Sequence, residues 1–183
     1  MQWQHSPYTL PHLLVAALSL ALGLYAWFRR GTPGAGTFAL MMGALAWWSA
    51  AGGLQHAGAD LETQTLWSNL SYLGIVSTPP TWFALALQYT GRLRQARARH
   101  VALLALLPAL SNVAVWTNDS HHLFVASVRL VRQGSFVVTE TTWGPLFWVH
   151  TAYCYAFLVA GTALLLHGLV RSEERRVGKE CRL

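Results

Sequence analysis

The sequence predicts an all-α, polytopic membrane protein: a bundle of about five transmembrane helices with a small extracytoplasmic β-hairpin between the fourth and fifth. Three observations predict it. Hydrophobic side chains make up 54% of the 183 residues and charged ones only 11%. The apolar residues gather in stretches near the length of a bilayer, and cationic loops alternate with acidic ones. With a mean hydropathy of +0.34, the chain has too little polar surface to coat a soluble domain of this size.

A hydrocarbon core about 30 Å thick takes roughly 20 apolar residues per helix. The stretches 8–28, 36–57, 65–89, 101–116 and 144–170 qualify, the fourth being the shortest. The first follows "MQWQHSPYTLPH", which has no positive n-region and precedes an apolar run too long for an h-region, so it is expected to stay as an anchor. Cys154 and Cys181 give no disulfide framework, and Cys154 reads as a small packed apolar side chain.

Orientation follows from the arginines. Up to Val170 there are eight Arg, no Lys and four acids. Arg29 and Arg30 follow the first span, and Arg92, Arg94, Arg97 and Arg99 follow the third. Asp60, Glu62, Asp119 and Glu140 all fall in the alternate loops, where Arg129 and Arg132 are the only cations. The positive-inside rule then places the N-terminus outside and residue 170 in the cytoplasm. A pI near 9.9 is accounted for by these loops, so nucleic acid is not expected as a partner and the lipid bilayer is.

Inside the spans, small residues line up at helical spacing: Ala39, Gly43, Ala46, Ala50 and Gly53 in the second, Ala152, Ala156, Ala160 and Ala163 in the fifth, and Ala16, Ser19, Gly23 and Ala26 in the first. Such seams let backbones approach, and all three are read as bundle packing. The third span, "WSNLSYLGIVSTPPTWF", carries Asn69, Ser71, Ser77 and Thr78 and then two prolines. Pro79 and Pro80 remove two amide donors, and the freed carbonyls need neighbours, hydroxyls or water. A plain bend is the preferred reading; the alternative is a hinge at Pro79, Pro80 and Asn69.

Between the last two spans, "VASVRLVR" and "SFVVTETTW" are β-branched runs separated by Gln-Gly, the pattern of a hairpin over the outer mouth. "TNDS" offers N-caps for a helical turn through "HHLF". His5, His12, His56, His121, His122 and His150, six of the eight histidines, fall near the outer face. Interfacial histidines suit the headgroup region by themselves, so no metal and no cofactor is assigned. The alternatives are a site for protons or a divalent metal built from His121, His122, His150, His56 and Asp119, and a haem held by His56 and His150. No catalytic motif is present, and the spans contain no Asp, Glu or Arg to mark an ion path, which lowers the transporter and channel alternative.

The succession "LWSNLSYLGIVSTPPTWFALALQYTG", "TNDSHHLF" and "WGPLFWVHTAYCYAFLVAGTALLL" resembles the N-terminal seven-transmembrane sensor region of bacterial histidine kinases. Tyr72, Gly74, Pro79, Pro80, Gln88, Tyr89, His121, His122, Gly144, Pro145 and His150 carry the resemblance. It implies a multi-pass protein of the bacterial inner membrane that detects an unidentified small ligand or ion. It also implies a cytoplasmic output domain, a kinase or a cyclic-dinucleotide synthase, and a homodimer formed through that parent. The chain itself is expected not to be an enzyme. The family has seven spans and this chain supplies five, so residues 1–170 read as a partial sensor domain. The run Arg171 to Cys181 resembles a translated sequencing adapter, and 171–183 is read as a foreign tail. Without it, eight arginines against four acids leave a net charge of +4 in place of +6.

Overall fold

The chain orders as α1 (Thr9–Phe28), α2 (Ala35–Ala57), α3 (Leu61–Tyr89), α4 (Ala98–Trp116), α5 (Asn118–His121), β1 (Val125–Gln133), β2 (Phe136–Trp143) and α6 (Pro145–Glu180). This computed structural model is 73% helical. It describes residues 1–92 and 98–180, and of 98–104 and 171–180 the backbone alone. Arg94, Arg97 and Cys181 lie outside the described residues, as do the side chains of Arg99 and of the tail.

Among the described residues, three helices are long and apolar enough to cross a membrane: α1, α2 and Pro145–Val170 of α6. The sequence reading counted five. α3 falls short because Thr63, Gln64, Thr65, Ser68, Asn69 and Ser71 dilute its first half, and in α4 the apolar run described is only Ala105–Trp116. Large apolar side chains on α1 point outward, Leu10, Leu14 and Leu18 among them, as they do on a helix whose solvent is lipid.

The helix seams of the first two spans pack as expected from their small residues. Ser19, Gly23 and Ala26 of α1 are buried, as are Ala39, Ala46 and Gly53 of α2. A methyl added at Gly23 would lie 3.2 Å from Met42 Cβ, so the helices approach because that position has none. Gly43 is exposed and departs from the seam. The alanine stripe of α6 departs entirely: Ala152, Ala156, Ala160 and Ala163 are exposed. α6 instead meets α3 through Gly161, where an added Cβ would touch the Trp82 ring at 2.8 Å, and through Phe157, whose ring centroid is 5.1 Å from that of Phe83. Large flat side chains on α3 fill the space, and a small residue opposite Trp82 admits it.

α3 is the shared element, packing against α2, α4, α6 and β2. Asp60 caps it, accepting from the Thr63 amide at 2.7 Å and the Thr63 hydroxyl at 2.8 Å. The helix runs through Pro79 and Pro80. The hydroxyls of Ser77 and Thr78 bond the carbonyls of Leu73 and Gly74, and Thr81 bonds those of Ser77 and Thr78. These bonds bracket the carbonyls of Ile75 and Val76, the two that lose their amide donors to the prolines, rather than replacing them. At Gly74 a Cβ would collide with the Ala44 carbonyl oxygen of α2, so the two backbones touch there.

β1 and β2 pair antiparallel from Val125 opposite Trp143 to Gln133 opposite Phe136. Gly134 turns the hairpin with φ +67°, a conformation glycine adopts freely. Arg129 and Glu140 pair at 2.7 Å across the exposed face, a contact worth only about 0–1 kcal/mol there. A helical turn does form, but as α5 over Asn118–His121, beginning inside "TNDS" and not running through "HHLF"; Thr117 precedes it without a side-chain cap, and His122 closes it in a left-handed conformation with φ 52°.

Gly74→Ala is expected to destabilise the bundle by roughly 1–3 kcal/mol, the range for overpacking a tight contact, whereas Gly43→Ala, with nothing within 4 Å of its added methyl, is expected to be neutral. Thermal unfolding of the two variants in detergent checks this, and equal midpoints would contradict the backbone contact.

Candidate functional site

The N-terminal residues and the hairpin close over one end of the bundle. Trp3 bridges Gly58 in antiparallel fashion, with Gln4 N–H donating to Ala57 O at 2.7 Å and Ala59 N–H to Gln2 O at 2.8 Å. Gln4 then clamps β2. Its Oε1 accepts from the Val137 amide at 2.8 Å, and its Nε2 donates to the Val137 carbonyl at 2.6 Å. Gln64 of α3, 1% exposed, donates from Nε2 to the same carbonyl at 3.0 Å and to Gly58 O at 2.9 Å. Through both polar atoms of Gln4 and the Nε2 of Gln64, this pair of glutamines ties hairpin, N-terminus and α3 into one piece, while Gln64 Oε1 is buried without a hydrogen-bond partner among the described residues.

Below the hairpin, Tyr72, Val76, Val115 and Phe124 form the buried core. Tyr72 meets Phe124 edge to face at 5.1 Å, and Phe124 meets Phe147 at 6.0 Å. His150 of α6, 5% exposed, joins this wall with its ring 5.9 Å from Phe124 and 6.1 Å from Tyr72. Its Nδ1 lies 3.0 Å from Ser111 Oγ and its Nε2 3.3 Å from Cys154 Sγ, so both ring nitrogens have polar neighbours. Asn118 holds the strand entry: its Oδ1 accepts from the Phe124 and Val125 amides at 3.1 and 2.9 Å, and its Nδ2 donates to Val125 O at 2.9 Å.

The aromatic wall separates two recesses. One, under the hairpin, is small, about 70 Å³, and polar, with Asn69, Asp119, Thr139 and Thr141 beside Tyr72 and Trp143. The other, about 390 Å³, opens between α4 and α6 and is lined by Ser111, His121, Phe124, His150 and Tyr153. The structure thus brings Asn69 to Asp119 and His121 to His150. His121 is already engaged, its Nδ1 accepting from the Leu123 amide at 2.9 Å and its Nε2 lying 3.2 Å from Thr117 Oγ1. His122 serves as the cap of α5 and lines neither recess.

His56 stands elsewhere, its ring 5.2 Å from His12 and 5.4 Å from Tyr8. It shares no ring partner with His150, which packs on Tyr72 and Phe124. Among the described residues no group of three or more His, Cys, Asp or Glu is placed to hold a metal. The outer histidines therefore divide between two places. Pro79 and Pro80 lie further along α3, apart from Asn69, which belongs to the polar recess. Sequence reasoning missed Gln4, Gln64 and Asn118; only Asn118 had a local signal, the Asx-turn habit of asparagine after a helix. Hydroxyls, amides, one carboxylate and aromatic faces line the polar recess, whose volume of about 70 Å³ is below that of a usual small-molecule site.

Helices bare to lipid on the outside and lidded at one end define a multi-pass membrane protein with a recess beneath its cap. Residues 11–179 match the family described as the N-terminal 7TM region of histidine kinase. The chain belongs to that family, that of membrane sensor regions, which are not themselves catalytic. No characterised protein and no solved structure matches it.

Asp60 supplies a pH signature for the lidded end. The Thr63 amide first, then the Gln2 amide and the Thr63 hydroxyl, hold its carboxyl down from 3.8 to about 2. A folded-state value below the unfolded one contributes stability above pH 3.8 and loses it as pH falls toward about 2. Asp60→Asn is expected to unfold at a lower temperature than the parent at neutral pH, with the gap closing over that acid window. Thermal melts across it check this, and a gap independent of pH would contradict the cap's charge.

Proposed function

We propose that this chain is the signal-input module of a two-component histidine kinase or related signalling protein, detecting an extracytoplasmic or intramembrane stimulus and passing it to a cytoplasmic output domain. The observation that carries the reading is the hairpin clamped by Gln4 and Gln64 over a polar recess whose wall is α3 itself. A ligand there touches Asn69 and Tyr72 of α3 and Asp119 at α5, so its binding energy bears on the helix that contacts every neighbour. Asn69 and Asp119 are the leading ligand contacts. His121 and His150 form the second candidate group, and Pro79 and Pro80 the bend through which α3 would shift.

On this reading α3 and α4 cross the membrane as well, giving five spans, with α3 tolerating its polar first half because it is surrounded by other helices. Charge supports an outside N-terminus in a bacterial inner membrane: Arg29, Arg30 and Arg92 lie at one end, and Asp60, Glu62, Asp119 and Glu140 at the other. Residues 1–170 are then the sensor part. The foreign origin of 171–183 rests on the adapter resemblance alone, and the family match itself runs to residue 179. A homodimer formed through the parent kinase belongs to the same reading.

Two measurements test it. Ser135→Cys, at the hairpin turn, is expected to react with a membrane-impermeant maleimide in intact cells, and Thr32→Cys only after lysis; the reverse pattern would overturn the orientation. Sequencing the source locus beyond Val170 is expected to read into further spans and an output domain, and a stop codon directly after the fifth span would overturn the sensor reading.

A further inference from the structure

The end of the bundle opposite the hairpin holds a recess of about 690 Å³, and nothing in the sensor reading uses it. It lies where the last turn of α1, the α1–α2 connection, the last turns of α3 and the Leu165–Leu169 stretch of α6 meet, lined by Tyr25, Arg29, Phe38, Leu85, Tyr89 and Leu169. Its walls are apolar and aromatic, and its rim is cationic. The Arg29 guanidinium sits 5.6 Å from the Tyr25 ring and that of Arg30 5.2 Å from the Trp27 ring, which holds both charges at the level of the aromatic residues.

We propose that this groove binds one anionic phospholipid, its acyl chain along the apolar wall and its phosphate at Arg29. Three features favour that occupant over a neutral lipid or another helix. The groove lies at the Arg29 end of α1 and α2, two helices long and apolar enough to cross a membrane, where a headgroup would meet the cationic connection. Charge is complementary: Arg29, Arg30 and Arg92 stand at this end, while Asp60, Glu62, Asp119 and Glu140 stand at the other. Residues 171–180, with four basic and three acidic side chains, do not reverse the sign. Finally, Gly34 and Ala35 at the start of α2 line the same recess as Arg29, so the groove reaches the connection that carries the cations. The volume falls in the range of about 300–1,000 Å³ usual for small-molecule sites.

The recess lies between the ends of α1 and α3 and the Leu165–Leu169 stretch of α6, so an occupied groove holds those three elements together. The inference rests on membrane insertion and not on the sensor reading.

The chain is purified in a neutral detergent and exposed to phosphatidylglycerol or phosphatidylcholine of identical acyl chains, with retained lipid counted by native mass spectrometry. One phosphatidylglycerol is expected to be retained in preference to phosphatidylcholine. Arg29→Gln is expected to reduce that preference about fivefold, the effect of one cation beside an anionic headgroup, with Arg29→Lys retaining most of it. Ala35→Trp, which fills the groove, is expected to remove both lipids. Arg29 is exposed, so its variants report binding without a folding defect. Equal retention of the two lipids, or a preference untouched by Arg29→Gln, would overturn the proposal. So would a dimer lost with Ala35→Trp, which would make the groove a seat for a second copy.

Discussion

Gly74 sets the distance on which the bundle depends. Because it has no side chain, α3 lies with its backbone against the Ala44 carbonyl of α2, and that close approach puts α3 at the centre of everything else. α6 rests on its Trp82 and Phe83 face, α4 lies on another side, and the hairpin hangs from Gln64 at its start. In lipid no hydrophobic gain drives helices together, so packing of this kind and hydrogen bonds between elements must do it. A central helix with polar residues in its first half and two prolines in its second is the element whose position both ends of the molecule share.

The polar first half of α3 has an energetic reason to be enclosed. Gln64 is fully buried and bonded to the hairpin and to Gly58, while Asn69 faces the polar recess. Hydroxyls further along the helix return to its own carbonyls on either side of the two that the prolines leave without amide donors. The residues of the outer recess and the two prolines are therefore parts of one helix. The lipid groove lies at the far end of that same helix, at Leu85 and Tyr89.

Local signals in the sequence carried well into the structure. The hairpin was legible because β-branched runs flanking Gln-Gly specify a turn without help from distant residues. The α1 and α2 seams were legible because four-residue spacing of small side chains is itself a packing device. The same rule misled in α6, where the alanine stripe stays exposed and Gly161 meets Trp82 instead: periodicity names a face but not the partner it meets. The span count was blurred by the polar start of α3. The histidines, grouped by their common depth, divide because depth does not fix position around the bundle; Tyr72 and Phe124 stand beside His150, while His56 packs on His12 and Tyr8. The Gln4 clamp was not legible at all, since it joins residues 133 apart in sequence through a backbone amide and carbonyl that leave no trace in side-chain pattern.

The central claim is that the hairpin is a lid held on α3 by the two glutamines, and amide hydrogen exchange of the chain in lipid nanodiscs tests it most directly. With Gln64→Ala, the account predicts faster exchange at Phe136–Thr139 and in the Gln2–Gln4 segment, while the later turns of α3 stay protected. Unchanged protection of the hairpin in that variant would contradict the lid.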